Sequence, residues 1–249
     1  MRITVVTPTY NEAENLPKLV SALFSLPLDL HVLVVDDNSP DGTGHIADEL
    51  ALAYPDRISV LHRPGKLGLR SAYLNGFQKV LDGLDGDAEA IVQMDADFSH
   101  APSALVEMAN LLESNDAVLG SRYVKGGSVD ERWPVWRRGL SAFGNYYART
   151  ILGLPFHDVT TGYRMWRRET LQKIPFERIQ SSGYVFLVEM AYLAHCLEFK
   201  IGETPIYFAD RRSGKSKMSL RIQVEAAFRI WQVWWGYRDL KKVGKSGRL

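Results

Sequence analysis

An α/β fold is predicted, built on a mostly parallel sheet flanked by helices. Two observations carry the prediction. Short runs rich in β-branched residues alternate with segments of helical period, and the polar residues that interrupt this pattern gather where the runs end, the side of an open α/β sheet on which ligands bind. The 249 residues, 46% hydrophobic and 24% charged, are enough for one sizeable core and have the composition of an ordinary soluble protein.

The elements follow in order. The opening MRITVVTPTYNE has no long apolar core before a cleavage site, so it reads as a first strand, RITVVTP, and not as a signal peptide. EAENLPKLVSALFSL then has helical period, HVLVVDD is the second strand, GTGHIADELALAY a helix, and RISVLHR the third strand. AEAIVQMD, APSALVEMANLLE and NDAVLGS continue the alternation as strand, helix and strand. In WPVWRRGLSAFGNYYARTILG, Pro134 suits a first helical turn, and Trp136, Leu140, Phe143 and Tyr147 mark an apolar stripe. No run approaches the roughly 18 to 20 apolar residues needed to span a bilayer. The single cysteine, Cys196, rules out an intramolecular disulfide and a thiolate metal cage, and a reducing, cytosolic setting is expected. Cys196 and His195 lie in an apolar helix and read as core.

Charge is unevenly distributed. The net charge is +1, yet residues 211–249 carry 11 Lys and Arg against 2 acidic residues, while residues 1–210 carry 19 against 27. An acidic body with a basic tail implies an anionic partner for the tail and a cation near the body's carboxylates; no nucleic-acid partner is expected.

The first strand ends in Pro8-Thr9-Tyr10-Asn11-Glu12, the second in Asp36-Asp37-Asn38-Ser39-Pro40-Asp41-Gly42, the fourth in Asp95-Ala96-Asp97 and the fifth in Gly120-Ser121-Arg122-Tyr123. Asn11 could serve only as a helix cap, and SPDG is good turn chemistry. Acidic residues at two strand ends with an arginine at a third nevertheless favour an active rim. Asp95 and Asp97, at i and i+2, converge on one point if extension persists through the strand end. Two such anions repel unless a cation or proton lies between them, which leaves a divalent metal, a general acid/base couple, or two solvated carboxylates. Hard oxygen ligands without a His/Cys cluster suit Mg²⁺ or Mn²⁺ bridged to substrate phosphates.

These strand-end segments together, PTYNE, VDDNSPDGT (35–43) and MDADFSH (94–100), resemble a family 2 glycosyltransferase with the nucleotide-sugar-binding GT-A fold, a Rossmann-like sheet. GSRY (120–123), DVTTGYR (158–164), GYVF (183–186) and RRSGKSK (211–217) narrow the resemblance to polyprenol-phosphate (dolichol-phosphate) mannose synthases, over about residues 3–220. The resemblance implies nucleotide-sugar contacts at Pro8, Tyr10, Glu12, Val35, Asp37, Ala96, Asp97, Arg122, Arg211 and Lys217. It implies a metal on Asp97, with Ser99 where some relatives have a Gln ligand, and an acceptor phosphate on Arg137 and Ser141. Asp95, Asp97, Arg122 and Arg211 form the expected catalytic set, and His100 is expected in a supporting or turn role.

An alcohol acceptor would need a base, whereas a phosphate monoester, with its second pKa near about 6, is already largely dianionic at neutral pH. The enzyme then needs positive charge to orient the acceptor and neutralise the leaving diphosphate. The resemblance implies transfer of mannose from GDP-mannose to a polyprenyl or dolichyl phosphate, and this chemistry fits such an acceptor. The rivals are glucosyl transfer from UDP-glucose and a non-catalytic membrane-docked subunit.

The expected organisation is a catalytic domain at 1–218 and an amphipathic helix with basic tail at 219–249. Leu220, Val224, Ala227, Phe228, Trp231, Trp234 and Trp235 share one helical face, and Lys241, Lys242, Lys245 and Arg248 follow. This pattern suits peripheral contact with the cytoplasmic face of a membrane. The alternatives are a helix packed on its own domain, a homodimer through the same face, or a separate membrane subunit.

Overall fold

The computed structural model describes residues 1–84, 86, 88–210 and 220–240. The five expected strands form as β1 (Arg2–Thr9), β2 (Asp29–Asp36), β3 (Ile58–His62), β4 (Ala90–Gln93) and β5 (Ala117–Ser121). The expected helices between them are α1 (Leu16–Phe24), α2 (Thr43–Ala53) and α4 (Ala104–Leu112), and α3 (Leu69–Lys79), not singled out in the sequence, lies between β3 and β4. Beyond β5 come β6 (Ser128–Val129), α5 (Val135–Leu152), β7 (Arg164–Arg167), α6 (Arg168–Lys173), α7 (Gly183–Cys196), β8 (Ile201–Pro205), β9 (Tyr207–Phe208) and α8 (Leu220–Gly236).

The main sheet has seven strands in the order β3-β2-β1-β4-β7-β5-β8, and β6 pairs with β9 in a second, two-stranded sheet. All main-sheet pairings are parallel except those of β7, which runs antiparallel to both β4 and β5. The near-continuous apolar character of β1, β2, β4 and β5 has a direct cause, because a sheet covered on both faces buries both sides of each strand. Alternate residues feed two cores: Val6, Leu33, Val35, Ile91 and Leu119 enter one layer with α3, α5 and α7, and Val5, Val32, Val34, Val92 and Val118 enter the other with α1 and α4.

Helix α8, which falls within the segment expected at 219–249, packs on α5 and α7. It buries Ile230, Val233 and, just beyond its end, Tyr237, and leaves Phe228, Trp231 and Trp235 exposed. Trp231 is tied to α5, its Nε1 donating to Tyr147 Oη at 2.9 Å. Of the stripe expected on α5, Trp136 and Phe143 are exposed, with Val135 and Tyr146 beside them, Leu140 is half-buried and Tyr147 packs partly buried against the core, while Asn145, Ala148 and Leu152 form the helix's buried side. Cys196 is buried as expected, and His195 lies edge-on to Phe156. Among the described residues no helix is long and apolar enough to cross a membrane.

Candidate active site

The strand ends surround a cleft of about 370 Å³. From β1 come Pro8, Tyr10 and Glu12, from β2 Asp37, from β4 Asp95, Ala96, Asp97 and His100, and from β5 Arg122. Seven of the residues expected at a nucleotide-sugar site, and Asp95 of the expected catalytic set, therefore line one cavity.

The two adjacent acids after β2 divide their work. Asp36 is buried and structural, accepting the Thr9 hydroxyl at 3.0 Å, the Ser39 hydroxyl at 2.6 Å and the Ser39 N–H at 3.1 Å, so it locks the turn onto β1. Asp37 faces the cleft. Its Oδ1 lies 2.8 Å from Arg63 Nη1, and both side chains are buried. Burial raises the Asp37 carboxyl above its ordinary range, against the opposing pull of Arg63 and, more weakly, Lys66. Lys66 lies over the Tyr10 ring, 3.6 Å from its centroid. Asn11 is not a helix cap: it takes a left-handed backbone (φ 63°), and its N–H donates to Ser39 Oγ, while Asn15 precedes α1.

Extension does not persist through the end of β4. The strand stops at Gln93, and Phe98 takes φ 60° in the turn that follows. Asp95 and Asp97 both line the cleft but are held by different groups. The Tyr73 hydroxyl donates to Asp95 Oδ1 at 2.8 Å, a contact that with burial pushes the Tyr73 phenol well above its ordinary pKa. Asp97 Oδ1 accepts the Ser99 N–H at 3.0 Å and the Ser99 hydroxyl in a shorter contact. Ser99 is fully buried and directs both its N–H and its hydroxyl to the Asp97 carboxylate. His100 accepts the Asp95 N–H through Nδ1 at 3.1 Å and stacks on Tyr163, consistent with the turn role expected for it.

Arg122 is anchored from behind. Its Nε donates to Asp158 Oδ2 at 2.7 Å and its Nη2 to Asp158 Oδ1 at 2.8 Å and to Thr160 Oγ1 at 2.7 Å, a bidentate pair of buried groups. Burial alone would raise the Asp158 carboxyl, but the Arg122 charge and its hydrogen bonds hold it below its ordinary range. The loop carrying Asp158 is fixed in turn. Glu203 accepts the His157 and Asp158 N–H groups, Asn145 accepts that of Val159, and Arg164 donates to the Val159 and Thr161 carbonyls. Arg164 is fully buried, and burial pushes its pKa down to about 9, which leaves it cationic at neutral pH.

Of the remaining expected positions, three fall outside the cleft lining and two lie outside the described residues. The Val35 side chain is fully buried under α3, so only its backbone could meet a ligand. Arg137 and Ser141 lie on α5, outside the cleft lining: Arg137 pairs with Asp210 at 3.0 Å, and Ser141 Oγ lies 3.0 Å from Tyr123 Oη, which links α5 to the end of β5 beside Arg122. Arg211 and Lys217 lie outside the described residues. The cleft also recruits Lys66, Gly68, Thr160, Thr161, Gly162, Gly183, Tyr184 and Phe208, none of which was expected as a ligand contact. Lys66 could have been found, because PGKLG follows the third strand on the same rim; Phe208 carries no local signal of its place.

Comparison with known proteins places the sequence and the fold. The chain is 47% identical over 239 residues to the polyprenol monophosphomannose synthase of Mycolicibacterium smegmatis, covering 95% of this chain and 88% of that protein. It is 42% identical over 236 residues to the undecaprenyl-phosphate mannosyltransferase of Micrococcus luteus, covering 95% and 94%. Similar folds occur in glucosyl-3-phosphoglycerate synthase from Mycobacterium tuberculosis with Mn²⁺, UDP and phosphoglyceric acid (TM-score 0.62, 14% identity, 93% and 76% of the two chains). Another is a mannosyltransferase from Pyrobaculum calidifontis with GDP-Man and Mn²⁺ (TM-score 0.58, 17% identity, 96% and 69%). The fold is thus GT-A-like. Residues 4–175 match Glycosyl transferase family 2, and the chain belongs to that family.

Proposed function

We propose that the chain transfers mannose from GDP-mannose to a polyprenyl phosphate, with inversion at the sugar, to give polyprenyl-phosphate mannose. The observation that carries this reading is the similarity along almost the whole chain to two curated enzymes whose names specify a polyprenyl-type phosphate acceptor. The cleft adds chemical support, since carboxylates from two strand ends and a fixed arginine from a third suit an anionic donor.

Asp95 and Asp97 offer hard oxygen donors, and among the described residues no group of three or more His, Cys, Asp or Glu could hold a metal unaided. That donor set fits Mg²⁺ or Mn²⁺ only if diphosphate and water complete the sphere, the usual habit of these ions beside nucleotides. Asp97 would hold the ion, oriented by Ser99. When bound, the ion supplies positive charge that offsets the negative charge growing on the departing diphosphate. Arg122, held by Asp158, supplies a second fixed charge to the cleft, already paid for in folding and so costing no reorganisation during reaction. Arg211 and Lys217 are assigned to the same diphosphate. The acceptor phosphate, already dianionic at neutral pH, attacks the anomeric carbon through its own oxygen as the sugar–diphosphate bond breaks, so no general base is required. Arg137 and Ser141 are assigned to that phosphate.

The outward aromatic residues of α5 and α8, with arginines beside them, suit shallow contact with a membrane that presents the acceptor on its cytoplasmic face. The test is direct. Purified protein is incubated with labelled GDP-mannose, Mg²⁺ or Mn²⁺ and a short polyprenyl phosphate, and the organic phase is analysed by mass spectrometry. A mannosyl phospholipid is expected from the wild type and none from Asp97→Ala; product on sugar or protein acceptors instead would reject the lipid assignment.

A further inference from the structure

Arg137 stands in the first turn of α5, between the exposed Val135 and Trp136 and the wall of the cleft. Two groups fix its guanidinium. The indole of Trp133 lies beneath it, 3.8 Å from ring centroid to guanidinium carbon, and Asp210 Oδ1 accepts from Nη1 at 3.0 Å. Asp210 is itself held. The same Oδ1 accepts Trp133 Nε1–H at 3.1 Å, and the Asp210 N–H donates to Asp130 Oδ2 at 3.0 Å, on a carboxylate clamped by Arg132. Trp133 is buried and meets Phe208, a cleft residue, edge-on at 5.7 Å. One ring thus sets the plane of the guanidinium, and one anchored carboxylate sets its rotation.

The pairing engages Nη1, whereas a guanidinium carries five N–H donors in a rigid fork, so a phosphate can bind another edge while Asp210 stays in place. Both partners are about one-third exposed, so solvent screens the charge that Asp210 opposes to an incoming anion. What survives screening is geometry: a long, rotamer-rich side chain meets its ligand already oriented.

We propose that Asp210 is a positioning residue for the acceptor phosphate, holding Arg137 flat on Trp133 so that the guanidinium is preset for the lipid headgroup. The proposal rests on the assignment of Arg137 to the acceptor. It is tested by steady-state kinetics of the full chain with GDP-mannose and a short polyprenyl phosphate in detergent micelles. Asp210→Ala is expected to raise the acceptor KM about tenfold, the scale of one charge-assisted hydrogen bond, with kcat, donor KM and Tm near wild type. Asp210→Asn, which keeps an oxygen acceptor at Oδ1, should recover most of the loss. A fall in acceptor KM in the alanine variant would mean that the carboxylate competes with phosphate, and a joint change of both KM values and Tm would make Asp210 a mere strut; either overturns the proposal. Arg137→Ala separates the two readings. An unchanged acceptor KM there removes the acceptor-site assignment itself, whereas a raised KM in Arg137→Ala with none in Asp210→Ala removes only the positioning role.

Discussion

Asp158 shows how much of this cleft is arranged by residues behind it. It lies fully buried and receives the Arg122 side chain on both oxygens, so truncating its charge would strand a buried cation. Asp158→Asn is expected to lower stability by about 3–5 kcal/mol at pH 7, read as a fall in the urea midpoint. The sign of the pH dependence follows from the depressed carboxyl. The contribution is fully present above the ordinary aspartate pKa of about 3.9 and is lost as pH falls through the lower native value, so the two unfolding curves should converge only in acid below that range. Arg122 was legible in the sequence as the arginine of GSRY at a strand end, and its anchor was not, because 36 residues separate the partners. For Ser99, the place beside Asp97 was readable, but not that its hydroxyl turns toward that carboxylate.

Among the elements, those spelled by long apolar runs were readable, and those spelled by mixed runs were not. β1, β2, β4 and β5 bury both faces and so announce themselves. β7 is RMWR, an interior strand that carries the buried Arg164, and β8 is IGETP, an edge strand with a glycine and a proline; neither is spelled by a long apolar run. Helix α8 packs on its own domain, one of the roles weighed for it, through Ile230 and Val233, and leaves Phe228 and Trp235 facing outward. Replacing Phe228 and Trp235 together by Ser should weaken sedimentation with anionic vesicles at least about tenfold, given roughly 1.5–3 kcal/mol for each buried aromatic. Tm should hold, because neither side chain is part of the core, and so should transfer to a water-soluble acceptor. Undiminished vesicle binding would assign the aromatic face to another occupant.

For the whole molecule, the division into an acidic body and a basic C-terminal segment was plain from sequence, as was the gathering of chemistry on one rim. The donor's base was not, since a nucleotide can be distinguished by backbone groups whose placement no side-chain pattern reveals. Thermal unfolding addresses it. GDP with Mn²⁺ at about 100 times its Kd should add about 2.7 kcal/mol, or roughly 5–10 °C for a chain of this size, and chelation of the metal should reverse most of the gain. Stabilisation by UDP and not by GDP would move the donor to a uridine nucleotide.

The reversed strand β7 has one more effect, on how the protein comes into being. Because it separates β4 from β5 and follows β5 by some 40 residues, β4 keeps an open edge and β5 has no strand partner until residues 164–167 emerge, and β8 joins β5 later still. The loop bearing Asp158 immediately precedes β7, so the counter-charge of Arg122 is seated with that insertion. A nascent chain stalled before this strand would present unsatisfied edges to its neighbours, and acquiring the cleft is bound to one late, long-range closure.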